Sequence, residues 1–366
     1  MSEFGDTYQG RRVLVTGHTG FKGAWLVLWL QHLGAEVSGF SDRVPTTPAM
    51  FDLLDMGERM DHHLGDIRDR IRLAEVVDEV RPEFIFHLAA QALVLESHQD
   101  PVATFETNTM GMVNLLECVR ERPWIEVAVL VTSDKAYRNN EWEWGYRETD
   151  VLGGLDPYSS SKSCAELVAH SYYHSFLRSA PTRIATARAG NVIGGGDWAT
   201  NRIVPDCIRA WMAGETVTVR QPFATRPWQH VLEPLSGYLW LGARLGERQD
   251  GLDGESFNFG PDAQQDMTVA DLIDAIASGW PGVAWHADDD SDPEGREARL
   301  LRLSCDKALR RLGWRAVLQL PATVAMTVDW YRRWRDQDVD LHEFSVRQIG
   351  QYTDIASSTG IAWSVE

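Results

Sequence analysis

Cysteine is scarce in this chain: four residues in 366, Cys118, Cys164, Cys207 and Cys305, all far apart. No pair has the short spacing of a zinc site. With no sign of a secretory leader, reduced thiols in a cytoplasmic protein fit better than a disulfide framework. The segment 1–12 is polar and has no apolar h-region. No apolar run approaches the ~20 residues of a membrane helix, and residues 24–33 read as a short buried helix. Positive charge is in deficit, with 35 Lys and Arg against 53 Asp and Glu and a net charge of −18. That balance argues against nucleic acid and membrane as partners, because both call for a basic face. An anionic substrate then requires a local basic pocket. Internal repeats and low-complexity tracts are also missing.

What is present is a soluble globular composition, 44% hydrophobic and 24% charged. In the first half, short apolar runs alternate with helical patterns. Strands are expected at 12–16, 36–41, 84–88, 127–132 and 183–188, and a helix at 20–33. The strands barely alternate in polarity, as parallel strands buried on both faces do not. The expected fold is α/β, a doubly wound parallel (Rossmann-type) sheet with right-handed crossovers and a smaller C-terminal α/β substrate-binding lobe. Residues 1–190 read as the dinucleotide-binding domain. Residues 191–366 read as the substrate lobe, sharing segments with the first domain. Expected there are helices at 203–212, 269–278, 305–312 and 322–335 and a strand at 217–220. The acidic stretch 288–297 reads as a loop, and the polar tail 336–366 as only partly packed. Fifteen tryptophans are many; most read as packing, with Trp142, Trp144, Trp198 and Trp228 near polar loop motifs where one or two could line a pocket.

Gly17-His-Thr-Gly20-Phe-Lys-Gly23 follows the first strand and opens a helix. Glycines there allow a tight turn and close approach to a pyrophosphate, over a helix N-terminus with free N–H groups. Gly17, Thr19, Gly20, Phe21, Lys22 and Gly23 are therefore candidate cofactor contacts. Asp42 ends the second strand near the place where a carboxylate holds the ribose hydroxyls of NAD. Arg43 beside it is the competing feature, suited to NADP, and NAD is the favoured reading. Asp66 and Ile67 could reach the adenine, and Leu88, Ala89 and Ala90, with small side chains at a strand end, could let the cofactor approach.

Tyr158-Ser-Ser-Ser-Lys162 puts phenol and amine on one helix face. A cationic lysine beside a phenol favours phenolate, which makes the tyrosine a usable base. Thr132-Ser133-Asp134-Lys135 ends a preceding strand, where such sheets face their cofactor. His170 and His174, spaced i,i+4, lack a third ligand and read as surface or packing residues, and His62-His63 carries no signal.

Together these motifs resemble the extended short-chain dehydrogenase/reductase superfamily. Within it, the CDP-glucose 4,6-dehydratase family is resembled by GHTGFKGAW (17–25), VTSDKAY (131–137), EWEWGYRE (141–148), DPYSSSK (156–162), ARAGNVIGGGDWA (187–199) and RPWQHVLEPLSGYL (226–239). The similarity runs from about residue 10 to residue 354. It implies a nicotinamide-dependent conversion of CDP-glucose to CDP-4-keto-6-deoxyglucose. Tyr158 would take the proton of the 4-hydroxyl, Thr132 or Ser133 would steer that hydroxyl, and Lys162 would hold the nicotinamide ribose. Asp134, protonated, could give a proton to the C6 hydroxyl, and Lys135, neutral, could take the C5 proton. Gln91, Asn191, Arg202, Arg226 and Asn258 are the candidate substrate contacts, with Arg226 toward the diphosphate.

Four positions depart from the expected pattern: Ala92, Leu95, Ala136 and Arg296. They bear on nucleotide and sugar preference and remove no catalytic group. Alternatives to the dehydratase are another nucleotide-sugar dehydratase or epimerase, or a cofactor-binding regulator without chemistry. Apolar residues beyond one stripe on helices 106–120 and 161–176 predict a homodimer built as a four-helix bundle, or a dimer of dimers.

Overall fold

The computed structural model describes residues 3–219, 221–262, 267–288 and 300–365. Apolar runs become strands covered on both faces. They are β1 (Arg12–Thr16), β2 (Glu36–Ser41), β3 (Asp61–Leu64), β4 (Phe84–His87), β5 (Val127–Val131), β6 (Arg183–Ala189) and β7 (Ser256–Phe259). They form one sheet in the order β7-β6-β5-β4-β1-β2-β3, with all neighbours parallel. The order reverses between β1 and β4. A crevice for a ligand is expected beyond the carboxyl ends of those two strands.

Helices α1 (Phe21–His32), α2 (Arg70–Val80), α3 (Gly111–Glu121), α4 (Pro157–Tyr172), α5 (Leu232–Gly246), α6 (Leu320–Asp336) and α7 (Leu341–Ser358) cover the sheet. Successive strand residues point to opposite faces. Val13 and Val15 of β1 join one core with α1, α5, α6 and α7, and Leu14 joins the other with α2, α3 and α4. α1 is buried almost all round, with Trp25 and Trp29 fully enclosed, because sheet, α5 and α7 close on it from several sides.

The second half contributes to the first core as well as to the lobe beyond it. β7 extends the sheet past β6, and α5 packs beneath β5 and β6. The lobe adds the helices Ile203–Met212, Val269–Ser278 and Asp306–Leu312 and short pairings between 192–193 and 229–230, 217–219 and 285–287, and 225–226 and 267–268. Residue 220 and most of the acidic stretch, 289–297, lie outside the described residues, as does Arg296.

The tail corrects its sequence reading. Residues 341–358 form α7, which buries Phe344, Ile349, Tyr352 and Ala356 against the larger core. Trp363 beyond it stacks on Phe4, with ring centroids 4.9 Å apart. The stripe is sparse and diluted by polar residues, so composition hides it. That stack helps to bury Phe4 of the polar N-terminal segment, whose Tyr8 is buried in turn against Phe84 and Phe86. Trp198 and Trp228 are buried, Trp198 against Tyr331 and Trp334. Trp142 stacks on Tyr146, and Trp144 is exposed.

Candidate active site

β1 delivers the chain to Gly17, at φ +76°, where a Cβ would lie 2.6 Å from the Ala89 amide nitrogen. Only glycine lets the loop meet the end of β4, at Leu88 and Ala89. Gly23 turns back onto the loop, and a Cβ there would meet the Gly17 carbonyl oxygen at 2.1 Å. Gly20 is different: its Cβ would have nothing nearer than 3.4 Å, and it N-caps α1 with no side chain bonded to the first-turn N–H groups. An open backbone above an uncapped helix N-terminus fits a dinucleotide pyrophosphate. Thr19 braces the loop, its hydroxyl donating to the Arg43 carbonyl at 2.7 Å. Phe21 is half-buried at the rim, as are Leu88, Ala89 and Ala90.

Asp42 and Arg43, just beyond β2, are both exposed and pair with each other at 3.9 Å. Asp66 is held by Arg68, whose guanidinium donates to both carboxylate oxygens at 2.6–3.0 Å, which keeps the carboxyl below its ordinary range. The Ile67 side chain is buried in the α2–α3 core and its carbonyl accepts from Asn114, which leaves its backbone N–H for a ring at this edge. His62 was passed over in sequence. Its Nδ1 sits 2.7 Å from His18 Nε2, and His18 Nδ1 sits 2.9 Å from Ser41 Oγ. Burial and the neighbouring imidazoles push His18 down to about 3, so a neutral ring supports the glycine loop.

Asp156 starts α4 by accepting from the Ser159 N–H, with Pro157 in the first turn, and this fixes Tyr158 and Lys162 on the face toward β5. The hydroxyl of Ser133, just beyond β5, is near enough to the Tyr158 phenol to pull its proton affinity down. It donates to Asp134 Oδ1 at 3.0 Å and accepts from the Lys135 N–H at 3.2 Å. Among the described residues Asp134 Oδ2, which is buried, has no hydrogen-bond partner; it lies against Gly190, where a Cβ would come within 3.0 Å of it.

Burial dominates the electrostatics here. It raises Asp134, with Lys135, the Ser133 bond and Lys22 opposing. It lowers Lys162 to about 8, and Lys22 to about 8 with help from Arg202 and Lys162. Tyr158 goes up to about 12, with Ser133 and Arg202 pulling it back. The helix pairing with Lys162 therefore does not by itself make the phenol a base at neutral pH, because burial outweighs it. Lys22, expected on the cofactor side, extends its ammonium into this crevice, 5.9 Å from the Tyr238 ring centroid. Tyr238 is fully buried, its hydroxyl has no partner, and Asp134 and Tyr158 add to burial in raising its phenol. Its signal in sequence was weak, since it sits in an apolar stretch of α5 and reads as core.

Thr132 corrects its reading. Its hydroxyl donates to Glu166, away from the crevice. Glu166 also accepts from Thr186 at 2.8 Å and from the Arg188 guanidinium at 2.8 and 2.9 Å. Of the two hydroxyls at this strand end, Ser133 is the one beside Tyr158. Glu166 and Arg188 were missed in sequence, although Glu166 lies one turn beyond Lys162 on the same helix.

The candidate substrate contacts divide. Arg202 reaches the crevice, held by Asp197 at 3.0 Å, a pairing that raises its guanidinium. Asn191 follows Gly190, which borders Asp134, and Arg226 precedes Pro227, which packs near the same glycine; Arg226 donates to the Thr225 carbonyl at 3.0 Å. Asn258 corrects its reading: its amide is spent on the Tyr146 and Ser304 carbonyls (2.9 and 3.0 Å) and on the Tyr137 hydroxyl (2.8 Å). Gln91 is likewise spent, donating to the Leu93 carbonyl and the Thr104 hydroxyl at 3.0 Å. Both hold loops and have no amide hydrogen left for a substrate.

The profile of the GDP-mannose 4,6 dehydratase family matches residues 14–327. The chain is 44% identical to a CDP-glucose 4,6-dehydratase of Salmonella typhimurium, over 94% of this chain and 97% of that one. A dTDP-glucose 4,6-dehydratase of Streptomyces antibioticus is 30% identical over 73% of this chain and 75% of its own. Among solved structures, a dTDP-glucose 4,6-dehydratase of Streptomyces venezuelae with NAD bound superposes with a TM-score of 0.74 at 25% identity, covering 90% of this chain and 99% of that one.

Proposed function

The chain belongs to the GDP-mannose 4,6 dehydratase family, and from that premise we infer that it is an NAD-dependent nucleotide-sugar 4,6-dehydratase acting on CDP-glucose to give CDP-4-keto-6-deoxyglucose. The observation that carries the reading is the Asp134-Lys135 pair in one crevice with Tyr158 and Lys162. Reversible oxidation at C4, all that an epimerase needs, uses only the second pair. Elimination of water needs a further acid and base. The choice of CDP follows the Salmonella relative.

The glycine loop with its open Gly20, the Asp42 carboxylate, the Leu88–Ala90 edge and Lys162 would hold NAD. When bound, NAD accepts the C4 hydrogen as hydride, returns it at C6, and brings a positively charged ring that favours ionised Tyr158. Tyr158 takes the proton of the 4-hydroxyl, which Ser133 steers. The ketone formed at C4 acidifies the C5 hydrogen. Lys135, half-buried at the strand end, removes that proton and later gives it back. Asp134, kept toward its neutral form by burial, protonates the C6 hydroxyl as it leaves. Arg202, Lys22 and Arg226 supply the local positive charge an anionic substrate requires in an acidic protein.

Incubation with CDP-, dTDP-, GDP- and UDP-glucose in parallel tests this reading, scored by the near-ultraviolet absorbance of the 4-keto product in alkali. CDP-glucose should turn over fastest by a wide margin. Equal turnover of dTDP-glucose would overturn the choice of base, and no keto product from any sugar would overturn the activity.

Two finer expectations go with it. The four free thiols suit a reducing cytoplasm. A homodimer forms through the apolar face that exposes Val102, Met110, Leu167 and Phe176, and light scattering showing a monomer at micromolar concentration would refute it.

A further inference from the structure

The reaction returns its cofactor unchanged, and its proton ledger can be written residue by residue. The 4-hydroxyl proton goes to Tyr158 as the C4–H bond yields a hydride and the C4–O bond becomes a ketone. The C5 proton goes to Lys135. The C6–O bond breaks, and the leaving oxygen takes a proton from Asp134 and departs as water. The hydride arrives at C6, and Lys135 returns its proton to C5. Lys135 therefore ends as it began. Tyr158 ends with one proton more, and Asp134 with one fewer. Sugar and water together carry no net change, so each turnover must move one proton from the tyrosine to the aspartate.

We propose that the Ser133 hydroxyl carries this proton from Tyr158 to Asp134, resetting both groups without a passage through bulk solvent. The proposal rests on the acid and base roles inferred above. Ser133 donates to Asp134 Oδ1 at 3.0 Å, and its hydroxyl is near enough to the Tyr158 phenol to pull that group's proton affinity down. A serine hydroxyl can accept one proton while giving up another, so it conducts without holding charge. All three groups are buried, at 8%, 6% and 3% exposure. Arg202 and Asp156, which also act on the Tyr158 phenol, are unsuited. Arg202 has no proton to exchange at any working pH. Asp156 accepts from the Ser159 N–H and hydroxyl at the start of α4. Ser133 itself is held by the Lys135 N–H, to which it accepts at 3.2 Å as the cap of the short turn 134–136, so its oxygen stays between the two ends.

The isosteric pair Ser133→Thr and Ser133→Val tests the relay, since the two differ only by a hydroxyl and both fill the site against an intruding water. Steady-state turnover of CDP-glucose is measured at fixed pH and ionic strength with rising concentrations of a small buffer such as imidazole. The wild type and Ser133→Thr should be independent of buffer concentration. Ser133→Val should lose roughly 10²-fold in kcat and regain part of it as buffer rises, because the proton must then travel through solvent. A loss that buffer does not restore would overturn the relay and leave Ser133 a hydroxyl-steering residue. An undiminished Ser133→Val would overturn it outright. Tyr158→Phe and Asp134→Asn are run alongside: if either turns over at the wild-type rate, the acid and base assignment itself has failed, a result separate from the fate of the relay.

Discussion

Glu166 and Asp134 are both 3% exposed, yet their proton affinities move in opposite directions. Glu166 is held below its ordinary range, because the Arg188 ion pair and the bonds from Thr132 and Thr186 overcome its burial. Asp134 is raised, because one serine bond and two neighbouring lysines do not. Arg188 matches Glu166, held above its ordinary value by the carboxylate and the Tyr137 hydroxyl despite burial. The carboxylates differ in partners and hardly in depth. A buried charge with every lone pair occupied fixes structure. A buried carboxyl with an orphaned oxygen, beside a Lys22 ammonium that burial pushes toward neutrality, is poised to exchange protons. The first cluster ties α4 to β5, β6 and β7, and the second opens into the crevice above it.

The comparison breaks most visibly if the unsatisfied cluster can be altered without cost. Asp134→Asn keeps shape and removes the acidic proton, and Tyr158→Phe keeps the ring and removes the base. Each should lower kcat by roughly 10²–10⁴ while the melting temperature stays near that of the wild type. Lys135→Met should fall as far and should also stop deuterium exchange at C5 of the oxidised sugar, read by mass spectrometry in heavy water. Exchange at the wild-type rate in that variant would make Lys135 an ion-pair partner only.

The satisfied cluster should respond in the opposite currency. Arg188→Met leaves Glu166 buried with its charge uncompensated, a loss expected to cost about 3–5 kcal/mol of stability. Denaturant unfolding should register it as a large drop in midpoint. Unchanged stability would mean that Glu166 simply takes up a proton at little cost, and the contrast with Asp134 would disappear.

That contrast was only half legible in the sequence. The sheet could be read because fully buried parallel strands announce themselves as apolar runs. The cofactor cradle could be read because Gly17 and Gly23 are required by contacts made within a few residues or at the next strand end. Tyr158 and Lys162 are four residues apart, so helix geometry alone brings them together. Thr132 and Ser133 could not be told apart, since which hydroxyl faces α4 depends on how the chain leaves β5. Asn258 and Gln91 looked like free amides because their partners, Tyr146, Ser304 and Thr104, are distant in sequence or belong to loops without a pattern. Tyr238 and α7 were hidden by composition, one polar atom in an apolar helix and one sparse apolar stripe in a polar tail.

The two adjacent hydroxyls give a smaller and sharper test. Thr132→Val removes one of several donors to Glu166 and fills the same volume, so about 1–2 kcal/mol of stability should be lost. CDP-glucose turnover per folded enzyme should stay within about twofold, since Thr132 faces away from the crevice. A loss of turnover as deep as that of Ser133→Val would return Thr132 to the catalytic crevice and undo its assignment to the structural cluster.

The smallest effect is in the pH dependence of stability, which rises with pH for a group in each cluster, but in separate windows and for opposite reasons. Glu166 has a lowered folded-state pKa, so its contribution is complete above the ordinary carboxylate range and is lost as pH falls through the folded value. Lys22 is lowered for the opposite reason, its charge disfavoured where that of Glu166 is favoured: burial, with Arg202 and Lys162, holds it at about 8 against an ordinary 10.5. Below about 8 it is protonated whether the chain is folded or not, and the cost of burying its charge is fully present. Between about 8 and 10.5 the unfolded chain keeps a proton that the folded one has released, so this lysine's contribution to stability rises with pH. Lys22→Met removes that contribution and leaves Lys162 in place in both proteins. The melting-temperature advantage of Lys22→Met should therefore be greatest near pH 7 and shrink by pH 9.5, before the phenols of the unfolded chain ionise. Parallel melting curves across that range would show that Lys22 stays charged in the folded protein, paired with Asp134, which would then be an ion-pair partner with no proton to give.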